Sequence, residues 1–208
     1  MISAVVPVDH DADTALMLRV KRGDNDAFIQ LVDRYKQPVF NLVCRTIGDE
    51  TEAEDIAQNV FIQIYKFAPR YEPSAKFSTW LYTIARNLSL NEIRRRGRHP
   101  AESLDQPARE TENPEPLPVS DPRVLAPGDQ LLIGELQSKI EEALQALPEN
   151  QRTAILLFRE EDMSYDEISK VLGASLSATK SLIHRGRETL KQILKPYLKH
   201  GTWSDSNE

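Results

Sequence analysis

Residues 71–98 read YEPSAKFSTWLYTIARNLSLNEIRRRGR. A polar loop containing Pro73 leads into one amphipathic helix, and the helix ends in a cluster of arginines. On a helical wheel stepped at about 100° per residue, Phe77, Leu81, Ile84, Ala85 and Leu88 share one stripe. Thr79, Tyr82, Thr83, Arg86 and Arg94 lie opposite, with Leu90 and Ile93 as apolar exceptions. Trp80, Asn87 and Asn91 fall on the border, where packing in a core and contact with a ligand are both open to Trp80. No acid follows Glu92 in the arginine-rich end. Such a helix can bury one side and offer cations, amides and aromatics on the other, a combination suited to a nucleic-acid backbone with unstacked bases.

Upstream of this stretch the apolar spacing is helical throughout. Residues 11–22 permit a short helix through Ala15, Leu16, Leu18 and Val20, closed by Gly23. A second helix starts near Asp24 or Asp26 and runs to about Ile47, with Phe28, Leu31, Val32, Tyr35, Val39, Leu42 and Val43 spaced by three or four. Pro38 is expected to kink or restart it. The segment TEAEDIAQNVFIQIYKF, residues 51–67, opens on Thr51 followed by Glu54, the pattern of a capping box. Ile56, Val60, Ile64 and Phe67 form its inward stripe. Asp55, Gln58, Asn59 and Ile62 fall outside it, as a solvated face or as a contact surface. Residues 1–10 are expected to be disordered.

Downstream, residues 99–133 hold seven of the thirteen prolines and few large apolar side chains. Such a segment cannot bury enough surface to offset chain entropy, so it is expected to be an extended linker. Two small helical domains follow as the prediction, over residues 11–98 and 134–198, with a flexible tail over 199–208. The fold class is all-α, and no strand pattern appears.

The second domain carries the strongest local motif. Leu136, Ile140, Ala143, Leu144 and Leu147 form a helical stripe, and Leu147-Pro148 ends that helix and begins the next. Ser164-Tyr-Asp-Glu167 is another capping box. Its short helix turns Tyr165, Ile168, Val171 and Leu172 inward, and Gly173 suits the position just past its end. A longer basic helix begins near Ser177 and faces Thr179, Leu182, Ile183, Gly186 and Leu190 inward. This pairing is a helix-turn-helix, in which the second helix enters the major groove. Ser177, Lys180, Ser181, His184 and Arg185 lie on its outer face and have the chemistry to read base edges. Arg187 and Lys191 are better placed for phosphates. The bland alternative is a solvated helical hairpin.

Composition sets bounds on these readings. The 208 residues carry a net charge of −6, which argues against a protein that coats nucleic acid unaided. The charge is uneven, however. Residues 77–98 hold five Arg against one Glu, residues 177–199 six basic residues against one Glu, and residues 99–133 two Arg against seven acids. Two basic helices separated by an acidic spacer fit two DNA-contacting elements that draw affinity from a partner. A single cysteine, Cys44, excludes a disulfide framework and a cysteine-rich zinc site, and Cys44 reads as a small buried apolar residue. No run approaches the ~18 apolar residues of a membrane span, and the first residues lack a signal peptide, so a cytoplasmic protein is expected. There is no phosphate loop, no His-Glu metal motif and no nucleophile elbow. No enzyme activity, metal or cofactor is therefore expected.

The segments TEAEDIAQNVFIQIYKF, KFSTWLYTIARNLSLNEIRRRGR, LPENQRTAILLF and SYDEISKVLGASLSATKSLIHRGRETL together resemble an alternative sigma factor of bacterial RNA polymerase, of the compact extracytoplasmic-function class. The resemblance covers about residues 11–98 and 134–196. It implies that Asp55, Gln58, Asn59 and Ile62 dock on the core polymerase, which is engaged through the β′ coiled coil and the β subunit. It implies that the loop Arg70–Lys76, with Phe77, Ser78, Thr79 and Trp80, captures a flipped base of the minus-ten element and holds the melted strand. Arg86, Asn87, Arg94, Arg95 and Arg96 match positions along the neighbouring duplex and backbone. Ser177, Lys180, Ser181, His184, Arg185 and Arg187 match the face that meets the minus-thirty-five element. Many relatives carry Arg or an aromatic where this chain has Lys180 and His184. Promoter DNA and an anti-sigma factor are the further partners implied. A stand-alone helix-turn-helix regulator, with residues 11–98 as a dimerisation or sensor domain, is the competing reading.

Overall fold

The structure is a computed structural model that describes residues 12–98, 127–159 and 163–200, the last including backbone only for residues 197–200; side chains are likewise described only from residue 134 in the helix beginning at 127. The described residues form eight α-helices and one 3-10 turn, with no strand among them. Helices α1 (Ala12–Val20), α2 (Asn25–Ile47), α3 (Glu50–Phe67) and α4 (Phe77–Arg98) make a first lobe, with the 3-10 turn Ala68–Arg70 between α3 and α4. Helices α5 (Pro127–Gln145), α6 (Glu149–Phe158), α7 (Tyr165–Leu172) and α8 (Leu176–His200) make a second. The expected N-terminal segment 1–10, most of the linker and most of the tail lie outside the described residues. The final seven residues assigned to the linker, 127–133, are instead the start of α5, with Pro127 in the first turn, where its missing N–H costs nothing.

Local chemistry sets most of the boundaries. Asp24 caps α2 by accepting from the Ala27 amide at 3.0 Å. Gly48 ends it in a left-handed conformation at φ 77°, a backbone state that favours glycine. Pro38 neither breaks nor restarts α2, which runs unbroken from Asn25 to Ile47. The cap of α3 is Asp49, which accepts from Glu52 N at 3.0 Å, not Thr51. Asp49 lies one turn ahead of Glu52 just as Thr51 lies one turn ahead of Glu54, and the earlier cap gives a longer helix. The expected capping box of Ser164 and Glu167 is present in both directions, and Gly173 closes α7 at φ 63°.

The first-lobe core gathers Met17, Leu31, Val39, Val43, Val60, Ile64, Phe77 and Leu81, all fully buried or nearly so. Phe67, expected inside, is 39% exposed. In the second lobe Leu157, Ile168 and Val171 fill the centre. Gly186 lies against α6 so closely that a Cβ there would sit 2.8 Å from Ile155 Cγ1, inside contact distance. The buried residues of the two lobes form one continuous hydrophobic cluster. Polar contacts add to it. Gln145 Nε2 donates to the Arg45 carbonyl at 2.9 Å, and Arg45 Nε meets Glu141 Oε1 at 2.8 Å. Helix α4 packs against α1, α2 and α3 of its own lobe and against α7 of the other.

Candidate nucleic-acid interface

The loop between the 3-10 turn and α4 folds over the first turns of α4 and leaves a cavity of about 590 Å³. Arg70, Tyr71, Glu72 and Ser74 line it from the loop, and Thr79, Trp80, Thr83 and Asn87 from α4. Lys170 of α7 closes one side. The Trp80 ring packs on Tyr71 at 5.0 Å between centroids, tilted by 48°, and on Phe77 at 6.2 Å. Lys21 Nζ pins the loop by donating to the Tyr71 carbonyl at 2.7 Å. Thr79 is buried, and its Oγ1 has no hydrogen-bond partner among the described residues. An aromatic wall and the Asn87 amide in one concave site can stack a flat ring and bond to its edge.

The structure divides the residues expected at this site. Thr79, Trp80 and Asn87 line the cavity. Lys76 does not line it; it is exposed, with Nζ 3.2 Å from Glu167 Oε1. Phe77 does not face a ligand: it is 0% exposed, its backbone N–H donates to Thr14 Oγ1 at 3.3 Å, and its ring meets Tyr35 edge-on at 5.5 Å. Phe77 therefore supports the site from the core. Ser78 is buried too. So is Tyr82, expected on the outer face, which packs edge-on against Tyr35 at 6.4 Å between centroids.

The arginine end of α4 is less free than its sequence implies. Arg95 bonds Glu92 through Nε at 2.8 Å and through Nη2 at 2.7 Å, and reaches Glu52 at 3.3 Å. Arg96 meets Glu52 at 3.1 Å, Glu92 at 3.2 Å and Asp49 at 3.4 Å. These pairs tie the end of α4 to the start of α3. The Arg95 hydrogen bonds hold the Glu92 carboxyl down at about 2, against the cost of its partial burial. Arg94 is exposed on the outer side. Arg86 is half-buried, which lowers its affinity for a proton, and it donates to Asn150 Oδ1 of α6 at 3.1 Å. Guanidinium groups remain charged at any physiological pH.

On α3, Asp55, Gln58, Asn59 and Ile62 follow one another at helical spacing along one exposed face. Ile62 is 60% exposed, a large apolar group left in water on an otherwise polar stripe. On α8, Ser177, Lys180, Ser181, His184, Arg185 and Arg187 are all exposed. Tyr165 of α7, expected inside, instead lies at the surface beneath this face. Its ring is 5.9 Å from Lys180 Nζ and packs on Phe158 at 5.3 Å, and Phe158 in turn lies under Arg187 at 5.9 Å. Tyr165, Lys180, His184 and Arg187 border a second cavity of about 500 Å³. Sequence reasoning included Tyr71 in the capturing loop but missed Lys170 at the first site and Tyr165 at the second. Lys170 belongs to the other lobe, so no local signal could have found it.

Cys44 is half-buried, and its thiol is pushed up to about 11 by burial and by the nearby carboxylates Glu50 and Glu141. Among the described residues no group of three or more His, Cys, Asp or Glu side chains is placed to hold a metal ion. No described helix is long and apolar enough to cross a membrane.

Residues 31–99 match the family described as Sigma-70 region 2, and residues 137–190 that described as Sigma-70, region 4. The chain thus belongs to the sigma factors of the sigma-70 type. ECF RNA polymerase sigma factor SigW of Bacillus subtilis is 37% identical over 177 residues, 85% of this chain and 94% of SigW. RNA polymerase sigma-H factor of Pseudomonas aeruginosa is 35% identical over 190 residues, 91% of this chain and 97% of that protein. The solved structure of CnrH in complex with the cytosolic domain of CnrY shares the fold, with a TM-score of 0.64 at 24% identity, over 89% of this chain and 99% of that one. The chain belongs to the extracytoplasmic-function sigma factors. It is an alternative sigma factor that directs promoter recognition and the initiation of transcription.

Proposed function

We propose that the first lobe captures a base of the minus-ten element in the cavity beside Trp80 and holds the melted strand there. Trp80 supplies the stacking face, Thr79 and Asn87 meet the base edge, and Lys76, Arg86 and Arg94 meet phosphates. Arg95 contributes as part of the network that anchors the end of α4. The observation that carries this reading is the cavity itself, which the Trp80 ring and the Asn87 amide both line. Stacking a base there repays part of the cost of unstacking it from the duplex. Melting then proceeds from the captured base, and the chain works by binding, with no covalent step of its own.

The second lobe reads the minus-thirty-five element as duplex. Ser177, Lys180, Ser181, His184 and Arg185 meet bases and Arg187 meets phosphate, all from the exposed face of α8. The exposed face of α3 docks on core polymerase, with Ile62 as its apolar anchor and Asp55, Gln58 and Asn59 around it. The protein acts in the cytoplasm. Because CnrH and the RpoE of Bartonella quintana are described in complex with other proteins, CnrY and the anti-sigma factor NepR, an anti-sigma partner that covers both lobes belongs to the same reading.

The test is transcription in vitro with core polymerase and a promoter library. The expected result is a set of promoter-specific transcripts that require this protein and share two sequence elements. Specific duplex binding without polymerase, and no dependent transcript, would establish a stand-alone regulator instead.

A further inference from the structure

We infer that Tyr165 is a positioning residue for promoter reading, whose ring directs the Lys180 ammonium to a guanine edge of the minus-thirty-five element and away from the phosphates. This deepens the assignment of α8 to that element and rests on it.

Lysine discriminates bases poorly when left to itself. Arginine presents a planar fork that fits guanine O6 and N7 in one orientation, whereas lysine is a point charge on a flexible four-carbon stem. An unrestrained ammonium in the major groove can settle on a phosphate as readily as on a base. For Lys180 to discriminate, something outside its own side chain has to restrict it.

Three helices supply the restraint. Lys180 Nζ lies 5.9 Å from the centroid of the Tyr165 ring, within the range at which a cation is drawn to an aromatic face. The Tyr165 ring packs on Phe158 of α6 at 5.3 Å, tilted by 40°. Phe158 is partly buried against the hydrophobic core, and the Arg187 guanidinium lies 5.9 Å from its ring. The result is a row of cation, ring, ring and cation. Its two ends are Lys180 and Arg187, about two turns apart and therefore on one face of α8.

The ring is held from both sides. Tyr165 is the first residue of α7, directly after the Ser164 cap. Ser164 Oγ accepts from the Glu167 amide at 3.3 Å, and Glu167 Oε2 accepts from the Ser164 amide at 2.7 Å. This box fixes the backbone that carries the ring, and Phe158 supports the ring itself. Tyr165 still keeps 37% of its surface exposed, so its ring is open to the groove in which Lys180 works. An ammonium has three N–H donors. The ring takes one side of it and leaves donors for guanine O6 and N7.

The test is holoenzyme affinity for duplex promoters recovered from the transcription library, with each base of the minus-thirty-five element replaced in turn. Lys180→Ala first locates the position whose preference it relaxes. Tyr165→Leu is expected to reduce discrimination at that position by about two- to fivefold, the worth of one exposed cation–aromatic contact. The other positions and the salt slope should not move. Tyr165→Phe, which keeps the ring, should retain the discrimination. In a Lys180→Ala background, Tyr165→Leu should change nothing further at that position, because its effect passes through the ammonium. A loss spread over every position, or one that persists without Lys180, overturns the inference and makes Tyr165 a packing residue. A loss in Tyr165→Phe equal to that in Tyr165→Leu also overturns it and assigns the hydroxyl to DNA. If Lys180→Ala relaxes no position while promoter-dependent transcription persists, the base-reading assignment of Lys180 fails and the inference falls with it, though the sigma function stands.

Discussion

Arg152 of the second lobe donates through Nη1 to the carbonyl oxygen of Thr46 in the first, at 2.7 Å. Thr46 lies in the last turn of α2, where carbonyls have no partner within the helix. The same guanidinium accepts nothing and donates to Gln145 Oε1, the Gln145 carbonyl and the Leu147 carbonyl at 2.7, 2.7 and 3.1 Å. One side chain thus finishes the end of α5 and the end of α2 together. Burial depresses its proton affinity, partly offset by Glu149, without removing its charge.

Arg152→Leu is expected to lower unfolding free energy by about 1.5–3 kcal/mol, the range for hydrogen bonds to a charged group. Arg152→Lys should recover only part of this, because an ammonium cannot span the same fork of carbonyls. Urea denaturation followed by circular dichroism measures both, and a loss below a few tenths of a kcal/mol would mean that water replaces the guanidinium without cost.

Trp80→Ala is expected to weaken promoter opening by about 1–3 kcal/mol, the usual worth of one base stacked on an aromatic ring. Permanganate reactivity of melted thymines reads the opening, and core-polymerase affinity should be unchanged. Equal losses in both would assign Trp80 to packing against Tyr71 and Phe77 alone.

Lys180→Ala and Arg187→Ala should separate two kinds of contact on α8. The first is expected to cost about 1–3 kcal/mol and relax preference at one position of the minus-thirty-five element. The second should weaken all sequences alike and reduce the slope of log affinity against log salt by about one. Holoenzyme binding to a panel of promoter variants over a salt series distinguishes them, and uniform weakening by Lys180→Ala would make that residue a phosphate contact.

Acid should release the α3–α4 anchor. Glu92 binds its proton less readily in the folded chain, at about 2, than its ordinary value of 4.5. A depressed carboxyl contributes stability that is complete above the unfolded value and is lost as pH falls toward the folded one. Wild-type stability relative to Glu92→Gln should therefore be greatest above about pH 5 and shrink between about pH 4.5 and 2. Urea midpoints measured across that range provide the check, and a constant difference would show that Arg95 and Arg96 do not distinguish the two side chains.

The sequence carried clear information where the physics is local. The capping box of Ser164 and Glu167 and the left-handed glycine at Gly173 are decided within a few residues, and both are present as read. The start of α3 was ambiguous, because Asp49 and Thr51 each offer an acceptor at the right spacing. The faces of α4 were harder still. A wheel assumes one buried side, but α4 is packed by helices on several, so Ser78, Tyr82, Ser89 and Leu90 are buried off the stripe. The exposed α3 and α8 faces were legible, because each is the polar complement of a regular apolar stripe. Contacts such as Lys76 with Glu167 were not, since they join residues far apart in the chain and depend on how the lobes meet.

The close approach of Gly186 to Ile155 divides α8 lengthwise into a mount and a reading head. On the mount, a single methyl group would collide with α6, so the angle at which the helix is presented tolerates almost no variation. On the outer side, Ser181, His184 and Arg185 are exposed, and Lys180 touches only the Tyr165 ring among the described residues, so these positions can be exchanged at little cost to the fold. A chain built this way can be retargeted to a new promoter through a few surface changes, while the scaffold that aims the helix stays as it is.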